Sequence, residues 1–351
     1  MVKHITIHLT QKCNLSCKYC HTAAGPHVKD KEEFSSVILR NLFADPITSI
    51  SLAGGEPFSV KNKLYSFLEQ IPLTTQNIAI TTNGLLINND DLLRLKLRNV
   101  RLQFSLDGLS SSHNKNRGDG TYDHIICNMT AAIKSDIRVD VLTTVTKSNI
   151  NKIGPFLKEI DKMGIQNITL LHFTPKGRGS YQSCEEIETE DWIKYCWHEI
   201  KSFVTESVRV WIQPRFITKK LLYQLDSNRR ITLCNHYKYD FAYIDIEQGD
   251  IYPCGLAYNT PLRIGKLQNG TLNQVIIDNI KSTQSFPEEC DGCELSNECG
   301  GGAKCYSYLY YNCAERRDPK CDVDKDIIPV CPFPAMYVSG PELDTNKPTI
   351  I

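Results

Sequence analysis

The chain has 351 residues, of which 41% are hydrophobic, enough for one large α/β domain and a smaller second one. Lysine plus arginine and aspartate plus glutamate number 40 each, so the charge balance predicts neither a nucleic-acid partner nor a membrane surface. No apolar run reaches the roughly 18 residues of a spanning helix, and residues 1–6 lack the apolar core of a signal peptide. A cytoplasmic location is therefore predicted.

Six β/α units are predicted in the first part of the chain, because apolar periods of two and of 3.6 alternate there. Strands are expected at 4–10, 48–52, 77–82, 100–106, 138–145 and 167–173, and helices at 32–44, 60–70, 90–97, 122–134, 151–163 and 189–204. This alternation predicts parallel strands with right-handed crossovers, hence an α/β fold with a partial (β/α)6 barrel.

The periodic pattern degrades over residues 207–233, and cysteines, turns and short strands follow. The expected organisation is a barrel at 1–215, a linker or helix at 216–233, a small cysteine-rich domain at 234–335 and a loose tail at 336–351. Within the cysteine-rich part, 241–253 predicts a hairpin that turns at 248–250, and 271–281 predicts a short helix.

Four motifs follow the first four predicted strands, at the edge where the catalytic residues of parallel α/β folds collect. They are Cys13 to Cys20, Gly54-Gly55-Glu56-Pro57, Thr82-Asn83-Gly84 and Ser105-Leu106-Asp107-Gly108. Their order along the chain predicts one shared site at the carboxyl ends of the strands.

Fifteen cysteines in a chain without an export signal predict metal or cluster ligation rather than disulfides. Cys13-x3-Cys17-x2-Cys20 places three thiolates on one loop, and a four-iron cluster normally takes four, so one iron would stay open. The alternative is a zinc site with His21 as the fourth ligand. Three cysteines that lie apart are expected to have no ligand role, the first and last as buried residues of helices: Cys127, Cys184 and Cys196.

The segment Cys-Asn-Leu-Ser-Cys-Lys-Tyr-Cys at 13–20 resembles the signature of radical S-adenosylmethionine enzymes, and the three later motifs resemble further motifs of that family. The segment 113–118 also fits, although the family often has aspartate in place of Asn114. The resemblance implies a [4Fe-4S] cluster whose open iron chelates the methionine moiety of S-adenosylmethionine. It also implies that the backbone of residues 54–56 binds the ammonium group of S-adenosylmethionine, and that the residues after the fourth strand bind its ribose and carboxylate. The cofactor-binding residues implied in this way are Tyr19, Gly54, Gly55, Glu56, Asn83, Ser105, Asp107 and Arg117.

The later cysteines resemble the auxiliary-cluster domain called SPASM, which occurs on peptide-modifying members of the family. Cys234-x14-Gly249-x4-Cys254 and Cys290-x2-Cys293-x5-Cys299 carry the likeness, although the usual cysteine after the next three glycines is Ala303, with Cys305 two residues later. The resemblance implies three [4Fe-4S] clusters in all. The distal auxiliary cluster would take Cys290, Cys293, Cys299 and Cys321. The proximal one would take Cys234, Cys254 and Cys305, with Cys331, Cys313 or the substrate as fourth ligand. Zinc ribbons built on Cys290-x2-Cys293 are the alternative.

The likeness implies an enzyme that generates a 5′-deoxyadenosyl radical and oxidatively modifies a ribosomally made precursor peptide, by a cross-link, a thioether or a related C–H functionalisation. The implied partners are this peptide and an electron donor of the flavodoxin or ferredoxin type. A separate protein or the SPASM domain would present the leader, because the first strand leaves no room for an N-terminal leader-binding domain. The alternatives are a radical dehydrogenase or epimerase acting on a small molecule, and a non-catalytic zinc- or cluster-binding protein.

Three further features qualify this interpretation. Formylglycine-forming relatives place a catalytic aspartate where Gly255 follows Cys254, so that activity is not expected. The tyrosines at 306–311 predict an aromatic core patch or, alternatively, a substrate or electron path. The segment 176–179, Lys-Gly-Arg-Gly, resembles a family motif at the barrel mouth and is otherwise a basic turn.

Overall fold

The computed structural model of the chain describes residues 2–28, 34–195, 199, 200, 207–224, 234, 241–280, 286–331, 336–339, 349 and 350. Numbered along the chain, the strands are β1 His4–His8, β2 Ser49–Ala53, β3 Asn77–Thr82, β4 Arg101–Ser105, β5 Val139–Val145, β6 Asn167–His172, β7 Arg209–Ile212, β8 Phe216–Ile217, β9 Phe241–Asp245, β10 Asp250–Tyr252, β11 Gly265–Lys266, β12 Ile328–Pro329, β13 Met336–Ser339 and β14 Thr349–Ile350. The helices are α1 Ser36–Leu42, α2 Lys61–Gln70, α3 Asn89–Leu97, α4 Ser110–Arg117, α5 Thr121–Lys134, α6 Ile153–Lys162, α7 Thr189–Lys194, α8 Lys219–Gln224, α9 Leu272–Ile280, α10 Ser296–Cys299 and α11 Lys304–Tyr311.

The six predicted β/α units are confirmed as a mixed α/β fold around a parallel sheet. Strands β1 to β6 pair in sequence order, all parallel, with helices between them. The sheet stays open, so the barrel is partial. Strand β7 adds a seventh parallel strand beside β6, in the stretch where no regular element was expected. The expected helix at 189–204 begins as α7, and residues 196–198 and 201–206 lie outside the described part.

The sheet continues beyond the barrel on both sides. Strand β9 pairs in parallel with β1, and the predicted hairpin, β9 with β10, is confirmed and extended by β11. At the other edge β13 pairs antiparallel with β7, so the expectation of a loose tail is wrong for Met336–Ser339. The reason is that an exposed strand edge offers backbone partners to any extended segment that reaches it. The domain boundaries at 215 and 234 stay a prediction.

Local sequence explains why these elements form where they do. In α6, Ile153, Phe156, Leu157 and Ile160 are buried, and their spacing puts all four on one helical face toward the sheet. Helix α3 begins with a capping box in which Asn88 and the third helical residue exchange side-chain and backbone hydrogen bonds. The described helices include none long and apolar enough to cross a membrane.

A buried ion pair joins the barrel to the cysteine-rich part. The Arg215 and Asp318 side chains are almost fully buried, and an Arg215 Nη2 to Asp318 Oδ1 hydrogen bond of 3.0 Å connects them. The guanidinium lies 3.5 Å from the ring centroid of Tyr306, whose hydroxyl is 2.7 Å from Thr174 Oγ1 in the barrel. Breaking such a pair leaves an uncompensated buried charge, so these contacts fix the two parts against each other.

Candidate active site

The first cysteine motif forms a loop directly after β1 and is held by backbone contacts. The Cys13 amide donates to Gly25 O at 3.0 Å, and the Leu15 amide donates to Cys13 Sγ at 3.4 Å. Burial, with smaller contributions from Glu56, Cys17 and Cys20, raises the pKa of Cys13 to about 12. A buried thiol of this kind takes the thiolate form when metal ions bind it.

The Lys-Gly-Arg-Gly segment at 176–179 supports this loop from the other side. Arg178 donates from Nε to Cys17 O at 2.8 Å and from its amide to Cys20 O at 3.0 Å. Gly177 has a φ of +59°, and a Cβ at this position would lie 2.5 Å from Cys20 O. The segment is therefore more than a basic turn, because only glycine lets its backbone approach the cysteine loop this closely.

A cavity of about 280 Å³ opens beside the three cysteines, at the carboxyl ends of the barrel strands. Six of the eight predicted cofactor residues line it: Tyr19, Gly54, Gly55, Asn83, Ser105 and Arg117. The other two, Glu56 and Asp107, are fully buried behind this wall. Residues from the cysteine-rich part also line it, including Tyr243, Gly255 and Leu256.

Both glycines after β2 are required by their contact with the cysteine loop. A Cβ on Gly54 would lie 2.4 Å from Thr10 O, and one on Gly55 would lie 2.2 Å from Lys12 O. The Gly55 amide donates to Thr10 O at 2.6 Å, and the Glu56 amide to Lys12 O at 2.9 Å. The glycines thus let the backbone of this loop form part of the cavity wall.

Glu56 holds the ends of two strands together rather than facing the cavity. Its Oε1 accepts hydrogen bonds from the Phe58 amide at 3.1 Å and from Thr82 Oγ1 at 2.8 Å. Its Oε2 accepts from the Asn83 amide at 2.6 Å. Burial raises the pKa of Glu56 to about 7, although these three donors favour the charged form. Its side chain positions Asn83, which donates to Asn14 Oδ1 at 2.7 Å and lines the cavity.

Asp107 likewise acts on its neighbours. Its carboxylate accepts hydrogen bonds from the Tyr19 hydroxyl, from Nε and Nη2 of Arg117, and from the Thr144 amide. Burial lowers the pKa of Arg117, but Asp107 and the Cys17 thiol outweigh this effect, so the pKa is raised. The result is a permanently charged guanidinium in the cavity wall, oriented by a buried carboxylate.

Electrostatic interactions among the later cysteines follow the two groups that the resemblance to the SPASM domain implies. In the distal group, burial raises the pKa of Cys290 to about 11, with contributions from Cys299 and Cys293. Burial also raises the pKa of Cys321 to about 12, with contributions from Cys299 and Cys290. Cys321 therefore lies with Cys290, Cys293 and Cys299.

In the proximal group, Cys305 donates a hydrogen bond to Cys254. This bond lowers the pKa of Cys254 and raises that of Cys305, and Cys234 and Cys331 raise the latter further. Cys331 is thus close to the predicted proximal cysteines, and both Cys234 and Cys313 act on the Lys304 ammonium. Outside both groups, Cys127 and Cys184 are exposed, so the buried role expected for the first is wrong; Cys196 lies outside the described residues.

The zinc alternatives require four ligands about 2.3 Å or less from one point. Over the ranges that the structure describes, no three His, Cys, Asp or Glu side chains converge on a single-ion site. A four-iron cluster keeps its thiolates farther apart, because each one binds a different iron. The assignment of the cysteine sets to clusters stays a prediction.

Two residues of this site were not predicted from the sequence, His8 and Tyr243. His8 is 2% exposed and makes a 2.7 Å hydrogen bond with the hydroxyl of Tyr243, which lines the cavity. The sequence offered one signal for His8, because this residue follows Ile7 at the end of the strand that leads into the site. The pairing of β1 with β9, which brings the tyrosine there, has no local signature. Of the tyrosines at 306–311, Tyr306 is buried, whereas Tyr310 and Tyr311 are exposed, so a core patch is wrong for these two.

Comparison with known proteins places this site in context. The sequence model described as Radical SAM superfamily matches residues 7–160. A pre-heme d1 synthase of Dinoroseobacter shibae is 25% identical over 186 residues, 51% of this chain and 46% of that protein, so this chain spans less than half of it. A mycofactocin maturase of Mycobacterium ulcerans is 24% identical over 334 residues, 90% of this chain and 87% of that one.

Among solved structures, SuiB of Streptococcus suis shares the fold. It superposes with a TM-score of 0.73 at 17% identity, covering 92% of this chain and 77% of that one. SuiB bound to its precursor peptide SuiA gives a TM-score of 0.69 at the same identity, with 92% and 76% covered.

Proposed function

We propose that this chain, whose residues 7–160 match the Radical SAM superfamily model, is a radical SAM enzyme that oxidatively modifies a ribosomally made precursor peptide, by a cross-link, a thioether or a related C–H functionalisation. The observation that carries the proposal is the extent of the likeness to a maturase, 90% of the chain, including the cysteine-rich part. A pre-heme d1 synthase matches over 51% of the chain and an AdoMet-dependent heme synthase of Methanosarcina barkeri over 84%, and these matches keep a dehydrogenase or epimerase of small molecules as the second candidate.

Membership of this superfamily would bring a [4Fe-4S] cluster and S-adenosylmethionine, which together would supply a 5′-deoxyadenosyl radical. The proposed ligands of this cluster are Cys13, Cys17 and Cys20, which all line the cavity, and the thiols of the last two contribute to the raised pKa of Cys13. S-adenosylmethionine would contact the cavity-lining residues Tyr19, Gly54, Gly55, Asn83, Ser105 and Arg117. The side chains of Glu56 and Asp107 would act through Asn83 and Arg117, which they orient.

Two auxiliary [4Fe-4S] clusters complete the proposal. The distal one takes Cys290, Cys293, Cys299 and Cys321. The proximal one takes Cys234, Cys254, Cys305 and Cys331. The mutual effects of the thiols within each set support this division. An auxiliary cluster can accept the electron that leaves the substrate when it is oxidised.

The partners follow from the same chemistry. A flavodoxin- or ferredoxin-type protein would supply the electron that starts each turnover. The peptide's leader would be presented by a separate protein or by the cysteine-rich part. The proposed location is the cytoplasm, where a reducing environment keeps cluster-binding thiols from forming disulfides.

Iron counting tests the cofactor set. After anaerobic reconstitution, iron, sulfide and zinc are measured together, and about twelve irons per chain are expected from three four-iron clusters. Cys331→Ala is expected to lose about four irons, while Cys313→Ala, the matched control, is expected to lose none. Zinc in place of the auxiliary irons would overturn the auxiliary assignment, and a protein without iron would overturn the proposal as a whole.

Mass spectrometry tests the substrate class. The enzyme is incubated with S-adenosylmethionine, dithionite and the small peptide encoded beside its gene. A mass loss of two hydrogens, together with 5′-deoxyadenosine, is expected. Formation of 5′-deoxyadenosine that responds to a small metabolite but not to any such peptide would favour the second candidate.

A further inference from the structure

One wall of the cavity lies between the first cysteine loop and Cys254, and Tyr243 forms part of it. The Tyr243 side chain is 5% exposed and lines the cavity together with Gly255 and Leu256. A Cβ on Gly255 would lie 3.1 Å from the ring of Tyr243. The tyrosine thus fills the space beside the residue that follows Cys254, where formylglycine-forming relatives place an aspartate.

The hydrogen bonds of the His8 ring determine which of its two nitrogens carries the hydrogen. The Gln11 side chain donates from Nε2 to Thr22 O, so its Oε1 faces His8 Nε2 at 2.9 Å. An amide oxygen only accepts, so His8 Nε2 carries the hydrogen. The other ring nitrogen, Nδ1, is then the acceptor of the 2.7 Å hydrogen bond from the Tyr243 hydroxyl. The phenol of Tyr243 is therefore hydrogen-bonded to a base, Nδ1 of His8.

The surroundings keep this pair rigid and dry. The ring of Tyr258 stacks on His8, with centroids 4.2 Å apart, and donates its hydroxyl to Asp245 Oδ2 at 3.2 Å. The Lys176 ammonium lies 5.9 Å from the centroid of the same Tyr258 ring. Strands β1 and β9 run side by side here, which places the histidine and the tyrosine on neighbouring strands.

The other cavity-lining groups are less suited to accept a proton. Among the described residues that line the cavity there is no aspartate or glutamate. Tyr19 donates its hydroxyl to Asp107, which also binds a guanidinium. The ring of His172 packs edge-on against Trp192, and burial lowers its pKa to about 3. His21 directly follows the proposed ligand Cys20.

We propose that Tyr243 and His8 together accept the proton that the substrate loses during its oxidation, an inference that rests on the proposed function. When bound, S-adenosylmethionine would supply the radical that takes a hydrogen atom from the substrate C–H bond, and a cluster held by Cys234, Cys254, Cys305 and Cys331 would accept the electron that the substrate radical loses. The Tyr243 oxygen would take the proton lost with that electron, while the tyrosine passes its own proton to His8 Nδ1. The substrate has then lost two hydrogens, one as an atom and one as a proton plus an electron.

The test separates hydrogen-atom transfer from proton loss. The peptide encoded beside the gene is produced in deuterated form and incubated with S-adenosylmethionine and dithionite. The variants are Tyr243→Phe, which removes the phenol oxygen, and His8→Gln, which removes the ring nitrogen that accepts from the phenol. Tyr258→Phe is the matched control, because it removes a neighbouring buried hydroxyl that belongs to a different hydrogen bond.

For both variants, deuterium transfer into 5′-deoxyadenosine is expected to stay within twofold of wild type, while modified peptide falls at least about a hundredfold. The unmodified peptide that is recovered should carry one protium in place of deuterium, because dithionite and solvent quench the undeprotonated radical. The double variant should lose no more than either single one, since the two residues act as a unit.

Three results would overturn the inference. Product yields at the wild-type level in both variants would show that another group takes the proton. Loss of deuterium transfer together with product, or of iron and thermal stability relative to Tyr258→Phe, would show a structural role. A wild-type enzyme that transfers no deuterium from the peptide would sink the proposed function itself, and the inference with it.

Discussion

Replacing Glu56 by alanine tests whether this carboxylate builds the cofactor site from behind. In the wild type, the Glu56 carboxylate accepts hydrogen bonds from the amides of Phe58 and Asn83 and from the hydroxyl of Thr82. The alanine variant leaves these three donors without an acceptor. An unsatisfied buried donor costs about 1–3 kcal/mol, so the expected loss of unfolding free energy for the three donors is about 3–9 kcal/mol. Glu56→Gln keeps the Oε1 acceptor but opposes an NH2 group to the Asn83 amide, and about 1–3 kcal/mol is expected.

Chemical unfolding under anaerobic conditions measures these losses. Glu69→Ala is the matched control, because Glu69 is exposed on α2, and a change below about 0.5 kcal/mol is expected for it. Binding of S-adenosylmethionine provides the second readout, since a displaced Asn83 alters the cavity wall. A Glu56→Ala protein as stable as the Glu69→Ala protein would refute the view that these three hydrogen bonds hold the strand ends together.

Three further predictions concern the same site. Asp107→Asn removes the counter-charge of the buried Arg117 and is expected to cost about 3–5 kcal/mol and to weaken S-adenosylmethionine binding, as measured by chemical unfolding and calorimetry. Gly177→Ala forces a Cβ against Cys20 O and is expected to lower iron retention in the first cluster. Gly164→Ala is the control, because Gly164 also has a positive φ, +74°, but no atom lies within 4 Å of the added Cβ. This variant bears only the backbone strain and should retain iron. Burial raises the pKa of Glu56 from 4.5 to about 7, so its contribution to stability is full below pH 4.5 and is lost as the pH rises to 7. The unfolding free energy of wild type minus that of Glu56→Gln should fall by about 3 kcal/mol over this interval, and a difference that does not change with pH would contradict the raised pKa.

The sequence was sufficient for the parts of the fold that have a local signature. The alternation in residues such as Ile5 and Ile7 predicted the six parallel strands, and the resemblance to the SPASM domain implied which of the later cysteines belong together. The four-residue strand β7 was missed because it is too short to show a period. The parallel pairing of β9 with β1 was missed because no local pattern encodes a partner that lies so far along the chain.

The same limit explains what was missed in the site. The resemblance of their motifs to those of the family implied that Glu56 and Asp107 belong to the site, but not that both face inward and orient other residues. Their direction depends on donors brought by neighbouring strands, such as the Thr144 amide, which only the assembled sheet supplies. The Tyr243–His8 pair depends on the same assembly.

The pairing of β1 with β9 has a consequence for biosynthesis. His8 and Tyr243 are 235 residues apart, so at about 5–20 residues per second the ribosome needs roughly ten to fifty seconds between the two. During this time β1 is paired with β2, but its other edge, which later pairs with β9, has unpaired amides and carbonyls. The isoleucines of β1, which are buried in the complete fold, lie beside this open edge. Such edges promote association with other chains. A fragment that ends at the predicted barrel boundary would keep this edge permanently open, so the barrel cannot be expected to remain monomeric without the strand that is synthesised after it.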